Sequence, residues 1–412
     1  MDNTMTMSNR IKLSAMMFLQ FMMFAVFWSA LAPYVTNMRW DSMKPWILAT
    51  MPLGALASPI IGMIADRFFN SEKVLAFSNL VTAAMLFMAG RATGGVEVFI
   101  YLLIALLFYM PSWGLTATIA MGNSPPEQFP QIRVFGTIGW VASMLFSIVA
   151  LKMFGTTIDG TAIPFFCGAG VAVLGAGVAL LCPATPPKAK GQPLAVVDAL
   201  GLRSVSLMKD RNFAVFMLVS MLAMIPFNIH FAFLSDFLAA KGFKLLTATN
   251  YIGQAAEMGF MLLVTVAMRK FGVKWSIIAG LAAMVVRYGA YYLGAGDMLP
   301  AIYVGILLHG IIFGFFVVGG QVYVGKTAPA EMQGQAQGFY ALMTFGVGSL
   351  VGTFFNDAMI KYYTTRNAEG LLVGSWDKIW MITAAGSVVL LVVMAVLFNP
   401  PAETLKEQPN DG

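Results

Sequence analysis

The chain has 412 residues, 59% of them hydrophobic and 11% charged, against roughly 25% charged in soluble domains. That composition excludes an ordinary soluble enzyme or binding module. The net charge of +6 does not call for a nucleic-acid partner, because lysine and arginine held in cytoplasmic loops to orient membrane helices produce the same surplus.

Apolar runs of about 20 residues, long enough to cross hydrocarbon as helices, recur along the chain. Twelve spans are expected, at about 11–37, 46–66, 74–92, 96–121, 131–154, 162–182, 211–238, 248–268, 274–294, 299–325, 332–361 and 376–399. The sequence thus predicts an all-α polytopic membrane protein of 12 transmembrane helices. The first run has no small-residue cleavage site after it and is expected to stay as a helix rather than leave as a signal. An even number of spans puts both termini on one side. With cytoplasmic termini, the inner loops and tails hold 14 lysines and arginines against 9 outside, which the positive-inside rule favours. Cys167 and Cys182 fall fifteen residues apart in span six, about 22 Å along a helix and too far to bridge. The 31 methionines are spread through the spans, as flexible filler rather than metal ligands.

The longest polar interruption, residues 184–210, reads as a cytoplasmic linker with a short surface helix from Ala195 to Leu207. It separates a six-helix bundle at 1–183 from a second at 211–400, with a cytoplasmic tail at 401–412. Basic turns after spans two and eight repeat the pattern half a chain apart, with Lys73 and Lys274 as counterparts. Duplicated halves are typical of transporters whose site lies between them.

Asp66 and Arg67 close span two and are expected at a cytoplasmic gate, or in a solvated turn. Arg133 sits inside span five, where an isolated charge costs at least about 2.5–3.5 kcal/mol on insertion scales. Thr137 and Trp140 follow it at i+4 and i+7, on the same helix face. That face offers a charge, a hydroxyl and an aromatic plane to a ligand with hydroxyls and a flat ring. Asn228 follows Pro226, which removes a backbone donor from span seven; His230 next to it reads as a hydrogen-bonded helix contact or a relay, as does His309. Glu257 is the one acid near the middle of a long apolar run, with Gln254 on its face. Arg133 and Glu257 are expected either to line one cavity or to pair structurally. Asp236 and Asp357 lie near outer span ends and read as hydrated caps or gates. Arg287 is expected to snorkel to the outer interface. No HExxH or CxxC pattern occurs and the two histidines are far apart in sequence, so neither an enzyme nor a metal site is expected.

The stretch GMIADRFFNSEK (Gly62–Lys73) resembles the loop motif of the major facilitator superfamily, without its usual glycine after the Asp-Arg pair. YMPSWGLTATIA, FPQIRVFGTIGW, GQAAEMGF, GILLHG and APAEMQGQAQGF resemble the bacterial nucleoside:proton symporter family and its YegT-like branch, along nearly the whole chain. The resemblance implies the major facilitator fold and proton-coupled import of nucleosides by alternating access, in the bacterial inner membrane, as a monomer among lipids. The proton is then the coupling ion, with no other cofactor. It implies substrate binding by Arg133, Thr137, Trp140, Asn228, Gln254 and Glu257, and proton coupling by Glu257 with Arg133; Phe313 is expected to stack on the ligand's ring or to serve as a core aromatic. It also marks a departure: relatives carry an aspartate where this chain has Gly314, and amides where it has Ala117 and Phe345. A sugar or sugar derivative is the alternative cargo, and a transport-dead membrane sensor the alternative role.

Overall fold

The computed structural model describes residues 5–124, 128–187, 202–329 and 333–400. Among these, eleven helices are long and apolar enough to cross a membrane: Met7–Asn37, Lys44–Gly62, Ser71–Arg91, Gly95–Gly122, Gln131–Phe154, Ile163–Leu181, Arg211–Ala240, Lys270–Ala295, Leu299–Thr327, Ala336–Tyr363 and Trp376–Leu397. They correspond to spans one to seven and nine to twelve. Span eight is the first arm of a continuous helical stretch, Leu246–Ala295, broken at Gly272 with φ 81° and ψ 168°. Only a residue without a Cβ adopts that backbone freely, so Gly272 turns one apolar stretch into two spans. A two-stranded hairpin, Thr364–Arg366 with Leu372–Gly374, joins spans eleven and twelve.

Span six shows how these sequences sort their faces. Gly168, Ala172, Gly175, Ala176 and Ala179 are buried, while Val173, Leu174, Leu180 and Leu181 are exposed. Where lipid is as apolar as leucine, small residues gain by bringing helix backbones together and large ones lose nothing by facing outward.

The chain divides into two compact units. The first comprises Met1–Leu194, Phe231–Tyr251 and Arg366–Leu372; the second comprises Ala195–His230, Ile252–Thr365 and Val373–Gly412.

In the first unit, span three packs against spans four and six, and span one against spans five and six. A Cβ on Gly139 would lie 2.1 Å from the Phe18 carbonyl oxygen, so spans one and five meet at backbone distance there. A buried polar chain ties spans one, three and four: Asn79 donates to Gln20 Oε1 (3.0 Å), Gln20 to Ser112 Oγ (2.5 Å), and Tyr109 to the Gln20 carbonyl (2.9 Å). At the start of span three, buried Glu72 accepts from the Thr185 amide (2.8 Å) and Asn70 Nδ2 (3.0 Å). The Tyr251 hydroxyl donates to the Ala25 carbonyl (2.5 Å) and accepts from Ser29 (2.5 Å) and Ser143 (3.0 Å).

Asp236 corrects the sequence reading. It is not hydrated: both it and Lys44 are buried, at 4% and 2% exposure. Lys44 Nζ donates to Asp236 Oδ2 at 2.5 Å and to Thr36 Oγ1 at 2.8 Å, and lies 4.4 Å from the centre of the Phe233 ring. A second pair, Arg366 with Asp41, adds an Nε–Oδ2 bond of 2.6 Å. Asp357 pairs with Lys361 one turn on, at 2.7 Å.

In the second unit, Pro226 lies inside span seven. The Tyr288 hydroxyl donates to the Pro226 carbonyl, and Asn356 Nδ2 to the Ile225 carbonyl at 2.9 Å. Side chains of spans nine and eleven thus serve the backbone around the proline. Arg287 does not snorkel: it is fully buried and donates Nε to the Gly305 carbonyl at 3.1 Å. Spans ten and eleven each contain a π-helical turn, Ile312–Val318 and Leu342–Gly348; such turns recur at functional sites. The expected surface helix from Ala195 lies outside the described residues up to 201; from Leu202 to Lys209 the chain is 3₁₀-helical.

Candidate functional site

The first unit carries the arginine stripe. Arg133, Thr137 and Trp140 lie on the helix Phe129–Ala142 and all three are partly buried. The Arg133 guanidinium sits over the Phe21 ring, 4.3 Å from its centre, and a Cβ on Gly136 would be 2.7 Å from Arg133 Nη1. The bare turn at Gly136 is therefore what lets the guanidinium lie flat against its own helix. Phe21 in turn stacks on Trp113 at 5.5 Å, and Trp140 packs against Phe24 at 5.6 Å. An aromatic wall shared by spans one, four and five thus backs the charge. Trp140 Nε1 is buried with no hydrogen-bond partner among the described residues.

The second unit carries the acid. Span eight places Gln254 and Glu257 on one face, Gln254 buried and Glu257 partly so. Two close approaches seat this face against span ten. A Cβ on Gly310 would be 2.7 Å from both Glu257 N and Cα, and one on Gly253 would be 2.7 Å from the Ile306 carbonyl oxygen and 3.0 Å from His309 Cβ. The result sets His309 Nε2 3.7 Å from Glu257 Oε2. Gln254 Oε1 is buried with no hydrogen-bond partner among the described residues. Unsatisfied buried polar atoms are rare in native structures, and two of the proposed ligand contacts, Trp140 and Gln254, carry one.

Asn228 donates Nδ2 to the Ser349 carbonyl at 3.1 Å, so its nitrogen braces span seven on span eleven. The Phe313 ring lies 6.1 Å from that of His309, centre to centre, inside the π-helical turn. At Gly314, where the resemblance implies an aspartate in relatives, a Cβ would meet Val264 Cγ2 at 2.8 Å, so span eight occupies the space a longer side chain would need. Asp66 and Arg67 end the helix Ser58–Arg67; the Asp66 side chain lies outside the described residues.

Sequence reasoning missed the Lys44–Asp236 pair, whose only signal was two opposite charges at the ends of apolar runs. It also passed over Gly320–Thr327, GQVYVGKT, which has phosphate-loop spacing. The stretch Gly319–Thr327 is α-helical and Gly320 packs against the Tyr340 hydroxyl and the Phe216 ring. Its amides point along a helix rather than into a cradle, so no phosphate site follows.

The nucleoside H+ symporter family matches residues 7–403. YegT of Escherichia coli (strain K12) is 34% identical over 401 residues, covering 95% of this chain and 93% of that one. Xanthosine permease of the same strain is 26% identical over 428 residues, covering 98% and 99%. The crystal structure of the nucleoside transporter NupG superposes with a TM-score of 0.82 at 24% identity, covering 96% of this chain and 100% of that one.

Proposed function

The chain belongs to the nucleoside H+ symporter family, and we propose that it imports nucleosides together with protons by alternating access. It is a multi-pass membrane transporter of the major facilitator fold and not an enzyme. An inner-membrane location with cytoplasmic termini is the proposed arrangement, supported by the family and by the lysine and arginine excess on the side of the termini. Monomer is the assembly proposed, since both bundles lie in one chain.

Glu257 carries the reading. It is a partly buried carboxylate in an apolar span, fixed by the Gly310 approach and facing His309. Intramembrane acids so placed bind protons or cargo. In the proposed cycle a proton neutralises Glu257, nucleoside binds, and both are released inward. Arg133 and Thr137 hold the ligand's hydroxyls, Trp140 and Phe313 give its base flat surfaces, and Gln254 and Asn228 supply amides. Asp66 and Arg67 act at the inner gate.

Proteoliposomes given an inside-alkaline pH gradient test this. Labelled uridine is expected to accumulate, the gradient dissipated by protonophore to stop it, and Glu257→Gln to lose accumulation. Accumulation by Glu257→Gln at the wild-type level overturns the assignment; binding without counterflow identifies a sensor instead.

A further inference from the structure

We propose that His309 is a second proton-carrying residue of the coupling site, sharing with Glu257 the proton taken up in each cycle. The proposal rests on the reading of the chain as a proton-coupled transporter, and it deepens that reading.

Span ten presents His309 to Glu257 through the two glycine approaches already described. The Nε2–Oε2 separation is 3.7 Å, within ion-pair range; shortening it by roughly 0.7 Å gives a hydrogen bond. Behind His309 runs a buried polar line. The His230 and His309 rings stack with centres 5.4 Å apart and planes 10° from parallel. His230 Nδ1 lies 3.0 Å from the Tyr291 hydroxyl, and the Arg287 charge acts on both histidines and on Tyr291. The groups facing His309 include Glu257 from span eight, His230 from span seven and Arg287 from span nine. The Phe227 and Phe313 rings lie beside it, with centres 6.2 and 6.1 Å away.

A histidine serving only as packing has no need of a carboxylate at its ring nitrogen. Here the imidazole is fully buried, and the one acid near the middle of a span is set beside it. The chain also has no carboxylate at position 314, where Val264 fills the space. The imidazole supplies a second protonatable group directly beside the Glu257 carboxylate.

The proton balance is simple. With His309 neutral and Glu257 ionised, the pair carries −1. A proton added at His309 Nε2 gives imidazolium facing carboxylate, net zero. Moved across to Oε2, it gives neutral imidazole facing carboxylic acid, again net zero. Loss of that proton to the inside restores −1, so the carrier returns unchanged.

The chain has only two histidines, so imidazole nitrogen NMR of the full-length wild type in nanodiscs resolves both, with His230→Gln assigning them. His309 is expected to pass from one to two ring protons as the pH is lowered, with a midpoint that moves when uridine is added. In proteoliposomes, His309→Gln is expected to lose concentrative uptake at least about tenfold more than counterflow, with a flattened pH profile. A His309 ring that stays singly protonated throughout, with and without uridine, overturns the proposal. So does His309→Gln accumulating uridine with the wild-type pH profile. The NMR test needs only wild type and His230→Gln, so it decides the question if His309→Gln does not fold. Wild type that takes up no nucleoside sinks the transport reading itself; coupled uptake with a silent His309 sinks only this inference.

Discussion

Lys44 and Asp236 show what a pair of charges means once water is gone. Each is buried, and each has the other as its charged partner. Removing one side of such a pair leaves a naked ion and costs about 3–5 kcal/mol, whereas replacing both by apolar residues is often neutral. Lys44→Met alone is therefore expected to lower the unfolding temperature in detergent markedly. Lys44→Met with Asp236→Leu should regain most of the loss; a double variant as unstable as the single would show that the pair is not the cause. Arg133 makes a different use of charge. Its flat guanidinium lies on Phe21 and offers a rigid fork of donors, which a lysine ammonium does not reproduce. Arg133→Lys is expected to weaken nucleoside binding about tenfold, roughly 1.4 kcal/mol, while leaving thermal stability near wild type. Titration calorimetry measures the first and a melting curve the second.

At the scale of helices, glycine placement decides which side chains meet. Gly310 lets span ten reach the backbone of Glu257. Adding one methyl there forces the spans apart, and overpacking of this kind costs about 1–3 kcal/mol. Gly310→Ala is expected to cut concentrative uptake at least tenfold through loss of the Glu257–His309 geometry, on about that penalty. Gly177→Ala on span six, with nothing within 4 Å of the added atom, serves as the control and should transport normally. Gly314→Asp should fail to raise the proton-to-nucleoside ratio, because Val264 stands where the new side chain must go; pairing it with Val264→Ala opens the space. A raised ratio in Gly314→Asp alone would show that span eight yields more readily than its packing indicates. The stripes at Arg133, Thr137 and Trp140 and at Gln254 and Glu257 were legible from helical spacing. That His309 faces Glu257 was not, because spacing relates residues on one helix and says nothing of the register between two.

For the molecule as a whole, cargo is tested by what stabilises the fold. A ligand that binds only the folded state adds about 2.7 kcal/mol at a hundred times its dissociation constant. Nucleosides are expected to raise the melting temperature of the purified protein and monosaccharides to leave it unchanged; stabilisation by sugars alone would overturn the nucleoside assignment. The sequence by itself determined the membrane environment and the spans, because hydrocarbon thickness fixes how long an apolar run must be and charge is expelled from it. It also pointed to the buried charges, since each stands out against an apolar background. Only the tertiary structure decided what those charges do. Arg287, placed by sequence near an interface, is wholly enclosed, and Asp236, placed in water, is paired with Lys44. Solvation depends on what packs around a residue, and in a chain whose helices are apolar on every side the pattern along one helix does not say which face meets protein and which meets lipid.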